Sequence, residues 1–165
     1  MTLKQQKKIL NPLKILLYIP VPWVFVLTYL IGVVLQVIFP FNILSQEALF
    51  YVKITGIVLF AIGAFFASWS LIIFRKARTT TTPGLSSKKL IMQGPYRLTR
   101  NPMYVSLILA YLGEAGFLTQ FWPVLVLPFM LSYVNWIVIP LEEDILKKDF
   151  KEEYENYCTH VRRWL

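Results

Sequence analysis

The sequence predicts an all-α integral membrane protein, with about four transmembrane helices in one domain (residues 1–165) and an amphipathic C-terminal helix at the cytoplasmic face. Three observations lead there. The composition is 56% hydrophobic and 16% charged, against about 25% charged in soluble domains, and the mean hydropathy is +0.55. Several charge-free runs are long enough to cross a bilayer. The basic residues gather at the edges of those runs, as orientation signals do.

The first span is placed at about 15–39, because no charged residue occurs between Lys14 and Glu47. Pro20 and Pro22 fall in its first turns, where proline is tolerated. A second charge-free run, 54–74, closes on the basic sequence Arg75 to Arg78. From Asn101 to Leu141 the only charge is Glu114. At about 20 residues per crossing, that stretch holds two spans, 102–119 and 121–140, joined by a tight turn near Thr119–Pro123.

Lysine and arginine placement sets the orientation. Lys4, Lys7, Lys8 and Lys14 precede the first span, and Arg75, Lys76, Arg78, Lys88, Lys89, Arg97 and Arg100 fill the 75–101 connection. The opposite side carries only Lys53, so both termini and the 75–101 loop are expected in the cytoplasm. After Pro140 the chain turns highly charged, yet Leu146, Phe150, Tyr154, Tyr157, Val161 and Trp164 recur at helical spacing. This predicts one amphipathic helix over 141–164, lying on the membrane surface or packed against the cytoplasmic ends of the spans.

Composition also excludes several functions. The net charge of +8 is not spread over an aromatic-interleaved polar surface, so nucleic acid is not an expected partner. Cys158 is the single cysteine, which rules out an intrachain disulfide and a thiol metal cluster; no metal site is expected. The N-terminal apolar stretch exceeds a signal-peptide core and no small-residue cleavage site follows it, so no cleaved leader is expected.

Two polar segments border the apolar runs. Asn101 and Pro102 have a local explanation, since asparagine caps helices and proline starts them. The same helix start also offers free N–H groups, with Arg97 and Arg100 as anion-binding forks, Gly94 and Pro95 as a tight turn, and Tyr96 and Tyr104 as aromatic walls. Glu142 and Glu143 likewise suit the first turn of a helix, but both flank the apolar stripe, where a carboxylate pair can bind an amine and hydroxyls. A ligand with a carboxylate, an amine and a sulfonium would match both poles, and S-adenosyl-L-methionine has all three groups. Other amino-acid-like ligands fit the same description.

Gly94-Pro95-Tyr96, then Arg100-Asn101-Pro102-Met103-Tyr104, then Glu142-Glu143, then Phe150, Tyr154 and Tyr157, resemble the isoprenylcysteine carboxyl methyltransferase and phospholipid methyltransferase superfamily, especially its small bacterial members. The resemblance covers about 75–165; the first two spans agree only in hydropathy. It implies a multi-pass bacterial inner-membrane methyltransferase using S-adenosyl-L-methionine and releasing S-adenosyl-L-homocysteine. A lipophilic acceptor would enter sideways from the bilayer. It places the cofactor among Gly94, Pro95, Tyr96, Arg97, Arg100, Asn101, Pro102, Tyr104, Glu142, Glu143, Tyr154 and Tyr157, with Arg100, Asn101, Glu142 and Glu143 as the catalytic candidates.

The sequence departs from the prenylcysteine pattern in three places. Asn101 stands where histidine is usual, Lys151 follows Phe150 where glycine is frequent, and Val138 and Ile139 replace a basic position before the glutamates. An ionised carboxylate acceptor needs no general base, whereas an amine must lose its proton. His160, far along the C-terminal helix, offers no base near the site, which leans toward a carboxylate acceptor, that of a prenylcysteine-like or other lipid. N-methylation of a phospholipid amine, a sterol-type reductase using reduced nicotinamide, and a four-helix transporter remain as alternatives. Glu114, ten residues beyond Tyr104 in the third span, is expected toward the outer half of the membrane.

Overall fold

A computed structural model describes residues 20–41, 44–77 and 89–165, and these contain helices and connecting turns but no strand. Helix α1 is Val21–Ile38, α2 is Gln46–Ala77, α3 is Pro102–Phe117, α4 is Phe121–Tyr133 and α5 is Ile139–His160. A short 3-10 turn, Gly94–Arg97, precedes α3, and a π-helical segment, Val134–Val138, joins α4 to α5 without a break.

Three stretches are long and apolar enough to cross a membrane: Val21–Ile38, Gln46–Ala77 and Phe121–His160, the last running from α4 into α5. Its apolar part ends at Leu141, and the charged part from Glu142 onward lies outside the span. The expected span at 102–119 coincides with the 16-residue α3, which is about 24 Å long at about 1.5 Å per residue and falls short of the length that sets the other three apart. Helix α1 starts at Val21 with Pro20 as its N-cap and Pro22 in its first turn; expected span residues 15–19 lie outside the described residues. Helix α2 runs well past the expected 54–74, extending to 32 residues with Glu47 in its first turn and Arg75 and Lys76 in its last. Those charges complement the helix dipole and let the helix continue beyond the apolar core.

Helix α3 lies along α2 through small residues. The buried positions of α2 are Gly56, Gly63 and Ser70, one stripe at a seven-residue interval. A Cβ at Gly56 would lie 2.4 Å from the Phe117 nitrogen, and one at Gly113 would lie 2.5 Å from the Phe60 nitrogen. The two backbones approach so closely that only glycine fits at these points, the usual mode of helix association where water supplies no driving force.

Helix α1 pairs with α4. The Gln36 side-chain oxygen accepts from the Phe121 and Trp122 N–H groups at 3.1 and 3.3 Å, which caps α4 from a different helix. Tyr29 donates to Gln120 Oε1 at 2.8 Å. Phe25, Tyr29, Tyr111, Leu127, Met130 and Val134 form the core between α1, α3 and α4. The opposite face of α1 is exposed and apolar, with Leu27, Leu30, Ile31, Val34 and Leu35 lining a shallow groove of about 420 Å³, a surface suited to lipid.

The turn between α3 and α4 falls at Leu118–Gln120, as expected. The Gln120 N–H reaches the Ala115 carbonyl at 2.8 Å and the Thr119 N–H reaches Gly116 at 3.1 Å, with Thr119 in the left-handed region at φ 55°. This is the Schellman arrangement, here with a β-branched residue where glycine is usual. Glu114 is exposed in the last turn of α3, far from the helix start.

The C-terminal region departs most from expectation. In place of one helix over 141–164, α5 ends at His160, and Val161 is extended (φ −126°, ψ 128°). Lys151 breaks it internally at φ 44° and ψ −119°. Phe150 and Tyr154 therefore lie on two helical segments, and Val161 and Trp164 belong to a terminal strap, 161–165. The π turn upstream holds more residues per turn than an α-helix, so the residues after it are rotated relative to an uninterrupted helix.

Candidate active site

The site is built around the chain that enters α3. Gly94 adopts φ 61°, and a Cβ there would lie 2.3 Å from Ile73 Cδ1 and 3.0 Å from Trp69 Nε1, both on α2. Glycine is required on both counts, and the turn is thereby seated on the end of α2. Pro95 and Tyr96 are buried. The Tyr96 ring meets Phe74 edge-on, with centroids 5.6 Å apart, and its carbonyl accepts from the Tyr157 hydroxyl at 2.6 Å. Burial raises the pKa of both tyrosines, so their hydroxyls remain protonated donors.

The next three residues are tied to the terminal strap. The Arg100 N–H donates to the Arg162 carbonyl at 2.9 Å. The fully buried Thr99 hydroxyl donates to the Arg163 carbonyl at 2.9 Å and accepts from the Asn101 N–H at 3.2 Å. Asn101 is the N-cap position of α3 and Pro102 follows in the first turn, but the Asn101 side chain makes no capping bond. Its amide Nδ2 is turned to the Arg163 carbonyl at 3.0 Å instead. The helix start is where the sequence puts it, while the capping role expected of Asn101 is replaced by a tether.

The expected acid and base poles meet directly. Arg100 Nη2 lies 3.3 Å from Glu143 Oε1. Arg163 grips the same carboxylate in bidentate fashion, Nε to Oε1 at 3.2 Å and Nη2 to Oε2 at 2.6 Å. The Glu143 side chain is only 11% exposed. Burial alone would weaken the Arg100 cation, but the Glu143 carboxylate beside it raises its pKa above the ordinary value. Arg100 Nη1 also contacts the Cys158 thiol. The open, two-pole pocket read from the sequence is therefore closed at Glu143: its charge is shared by two guanidinium groups and is not available to a ligand amine.

Glu142 is different. It accepts a hydrogen bond from the Tyr104 hydroxyl at 2.7 Å. Burial raises its pKa to about 7; the adjacent Glu143 charge adds to this and the Tyr104 bond opposes it. The two neighbouring carboxylates are split into one gripped by two guanidinium groups and a second poised near neutral pH.

The other candidates play supporting parts. Tyr154 is 1% exposed and packs against Tyr157, with centroids 6.2 Å apart. Gly94, Pro95 and Pro102 shape the backbone. Arg97 is exposed and stands outside the cluster of described residues. Sequence reasoning missed Thr99, Arg163 and the Trp164 indole, which donates to Asn135 Oδ1 at 2.9 Å. Their only signal was position, Thr99 inside the arginine-rich helix start and Arg163 between stripe residues Val161 and Trp164. As for a cofactor, Arg100 Nε is buried with no partner among the described residues, a free donor fitting a ligand carboxylate or hydroxyl. Among the described residues no group of His, Cys, Asp and Glu is placed to hold a metal.

Comparison with known proteins extends the match beyond the motifs. A family model described as phospholipid methyltransferase matches residues 51–153, taking in most of α2, the Gly94–Tyr104 segment, both glutamates and Phe150. Neither the curated proteins nor the solved structures give a significant match. The family match spans more than half of the chain and agrees with its membrane-length helices: this protein belongs to the phospholipid methyltransferase family, within the superfamily that includes the isoprenylcysteine carboxyl methyltransferases, and is a membrane methyltransferase.

Proposed function

We propose that the protein transfers a methyl group from S-adenosyl-L-methionine to the amine of a lipid, at the cytoplasmic face of a bacterial inner membrane. The observation that carries the amine reading is the Glu142–Tyr104 pair. An amine is an ammonium ion at neutral pH and must lose a proton before it can attack, and a general base works best with a pKa near the operating pH. Glu142, raised to about 7, meets that requirement. The sequence leaned toward a carboxylate acceptor because His160 offered no base near the site; Glu142 removes that reason. The family's description, phospholipid methyltransferase, supports a phospholipid headgroup as the source of the amine, and it speaks against the reductase and transporter alternatives.

The cofactor, when bound, supplies an electrophilic methyl group on a sulfonium. The chain's own residues do the rest. Glu142 takes the proton from the acceptor nitrogen, and the Tyr104 hydroxyl, 2.7 Å away, holds that carboxylate in place. Arg100, through its unpartnered Nε, binds the anionic end of the cofactor. Tyr96, Tyr154 and Tyr157 line the adjoining wall. Holding acceptor and donor in line is worth up to roughly 7–11 kcal/mol of the barrier. The lipid reaches the site from the bilayer, and the lysine and arginine placement supports a cytoplasmic site.

The test is transfer of radiolabelled methyl groups in proteoliposomes containing either phosphatidylethanolamine or an S-prenylated cysteine analogue. We expect label in the phosphatidylethanolamine product and a roughly 10²–10⁴-fold loss in Glu142→Gln. Label in the prenylcysteine ester alone, unaffected by Glu142→Gln, would refute the amine reading.

A further inference from the structure

We propose that Arg163, on the C-terminal strap, is a positioning residue for methyl transfer: by clamping Glu143 it leaves Glu142 as the carboxylate of the pair that takes the acceptor's proton. This rests on the function proposed above, and it adds a residue from outside the motifs and beyond the 51–153 family match.

The geometry separates two jobs within the strap. Its backbone is anchored by main-chain carbonyls, that of Arg162 to the Arg100 N–H and that of Arg163 to the Thr99 and Asn101 side chains. The Trp164 indole fixes its far end on Asn135. None of these contacts uses the Arg163 guanidinium, which donates to Glu143 through Nε and Nη2. The side chain's charge can therefore be removed while the strap stays docked.

That charge matters because of what surrounds Glu142. From α3 it is faced by the Tyr104 hydroxyl. The Tyr96 hydroxyl, on the 3-10 turn, lies within electrostatic reach. On its own helix the neighbour is Glu143, whose negative charge favours protonated Glu142. Arg100 and Arg163 act on Glu142 through Glu143. With Arg163 neutral, Glu143 keeps a single contact to Arg100 at 3.3 Å, its charge is less compensated, and Glu142 holds its proton to higher pH.

The experiment uses the full chain in nanodiscs and follows two readouts. One is infrared titration of the protonated-carboxyl band that Glu142→Gln abolishes, which needs no cofactor. The other is the pH profile of methyl transfer to phosphatidylethanolamine. We expect a wild-type midpoint near pH 7, and in Arg163→Gln a midpoint about one unit higher. At pH 7 that shift leaves about a tenth of Glu142 ionised instead of about half, so transfer slows about fivefold with the acid limb displaced upward. Arg163→Lys should restore most of the wild-type midpoint, and adding Glu143→Gln to Arg163→Gln should bring it back down. A uniform loss of rate with an unmoved midpoint, or no change in either readout, overturns the proposal. A midpoint that moves while no lipid amine is methylated supports the clamp and refutes the acceptor reading alone.

Discussion

Replacing Glu143 by glutamine keeps the shape of the side chain and removes the charge that two guanidinium groups share. In the native site that carboxylate takes 3.2 and 2.6 Å bonds from Arg163 and a 3.3 Å contact from Arg100. The side chains are 11% exposed for Glu143, 15% for Arg100 and 33% for Arg163. Breaking a buried ion pair costs about 3–5 kcal/mol because an uncompensated charge is left behind, whereas exposed pairs are worth about 0–1 kcal/mol. Arg100 falls under the first rule, and Arg163, a third exposed, recovers part of its loss in water. The expected cost is therefore about 3 kcal/mol. At about 2–4 °C per kcal/mol for a chain of this length, the melting temperature should fall by about 6–12 °C. The assay is a thermal melt in detergent with a thiol-reactive dye, which reads Cys158, the chain's single cysteine and a direct neighbour of Arg100. Truncating both partners, Glu143→Leu with Arg163→Leu, should cost less than Glu143→Gln alone, since it leaves fewer stranded charges. A Glu143→Gln melt within about 2 °C of wild type would show that water already screens the cluster, and the reasoning from burial would fail.

Two further predictions concern stability. Lys151→Gly should raise the melting temperature by about 2–4 °C, because φ 44° with ψ −119° strains a lysine by about 1–3 kcal/mol and part of that is offset by the freedom glycine gains when unfolded; an unchanged or lower melt refutes the strain. Glu142 should make stability fall with rising pH. Its folded pKa, about 7, lies above the ordinary 4.5, so its contribution is fully present below 4.5 and is lost as pH rises through 7. Melts between pH 5 and 8 should show that decline, and Glu142→Gln should flatten it.

The glycine-like position at Lys151 illustrates how far sequence reading goes. The resemblance marked residue 151 as one where relatives often carry glycine, and the structure gives the cause, a left-handed backbone that splits the helix in two. The helical spacing of Leu146 to Trp164 gave no sign of that break, because a local kink leaves the apolar order along the chain unchanged. Likewise, Pro128 inside α4 and the π segment that follows are invisible to hydropathy. The seven-residue stripe Gly56, Gly63 and Ser70 carries no hydrophobic signal, although it seats α3 on α2.

By itself the sequence determined three membrane-length apolar runs, the start of α3 at Asn101-Pro102 and the turn at Thr119, and it named Arg100, Tyr104, Glu142 and Glu143, which the fold brings together. These are local properties: side-chain hydropathy, the fixed φ of proline and the spacing of charges act over a few residues. Tertiary structure decided the state of those residues. Glu142 and Glu143 are adjacent and chemically identical, yet one is clamped by Arg100 and Arg163 while the other accepts from the Tyr104 hydroxyl. Burial leaves Glu142 near neutrality, whereas Glu143 is gripped by guanidinium groups 20 and 43 residues away in the chain, and such surroundings, more than the residue's own type, set where a proton resides.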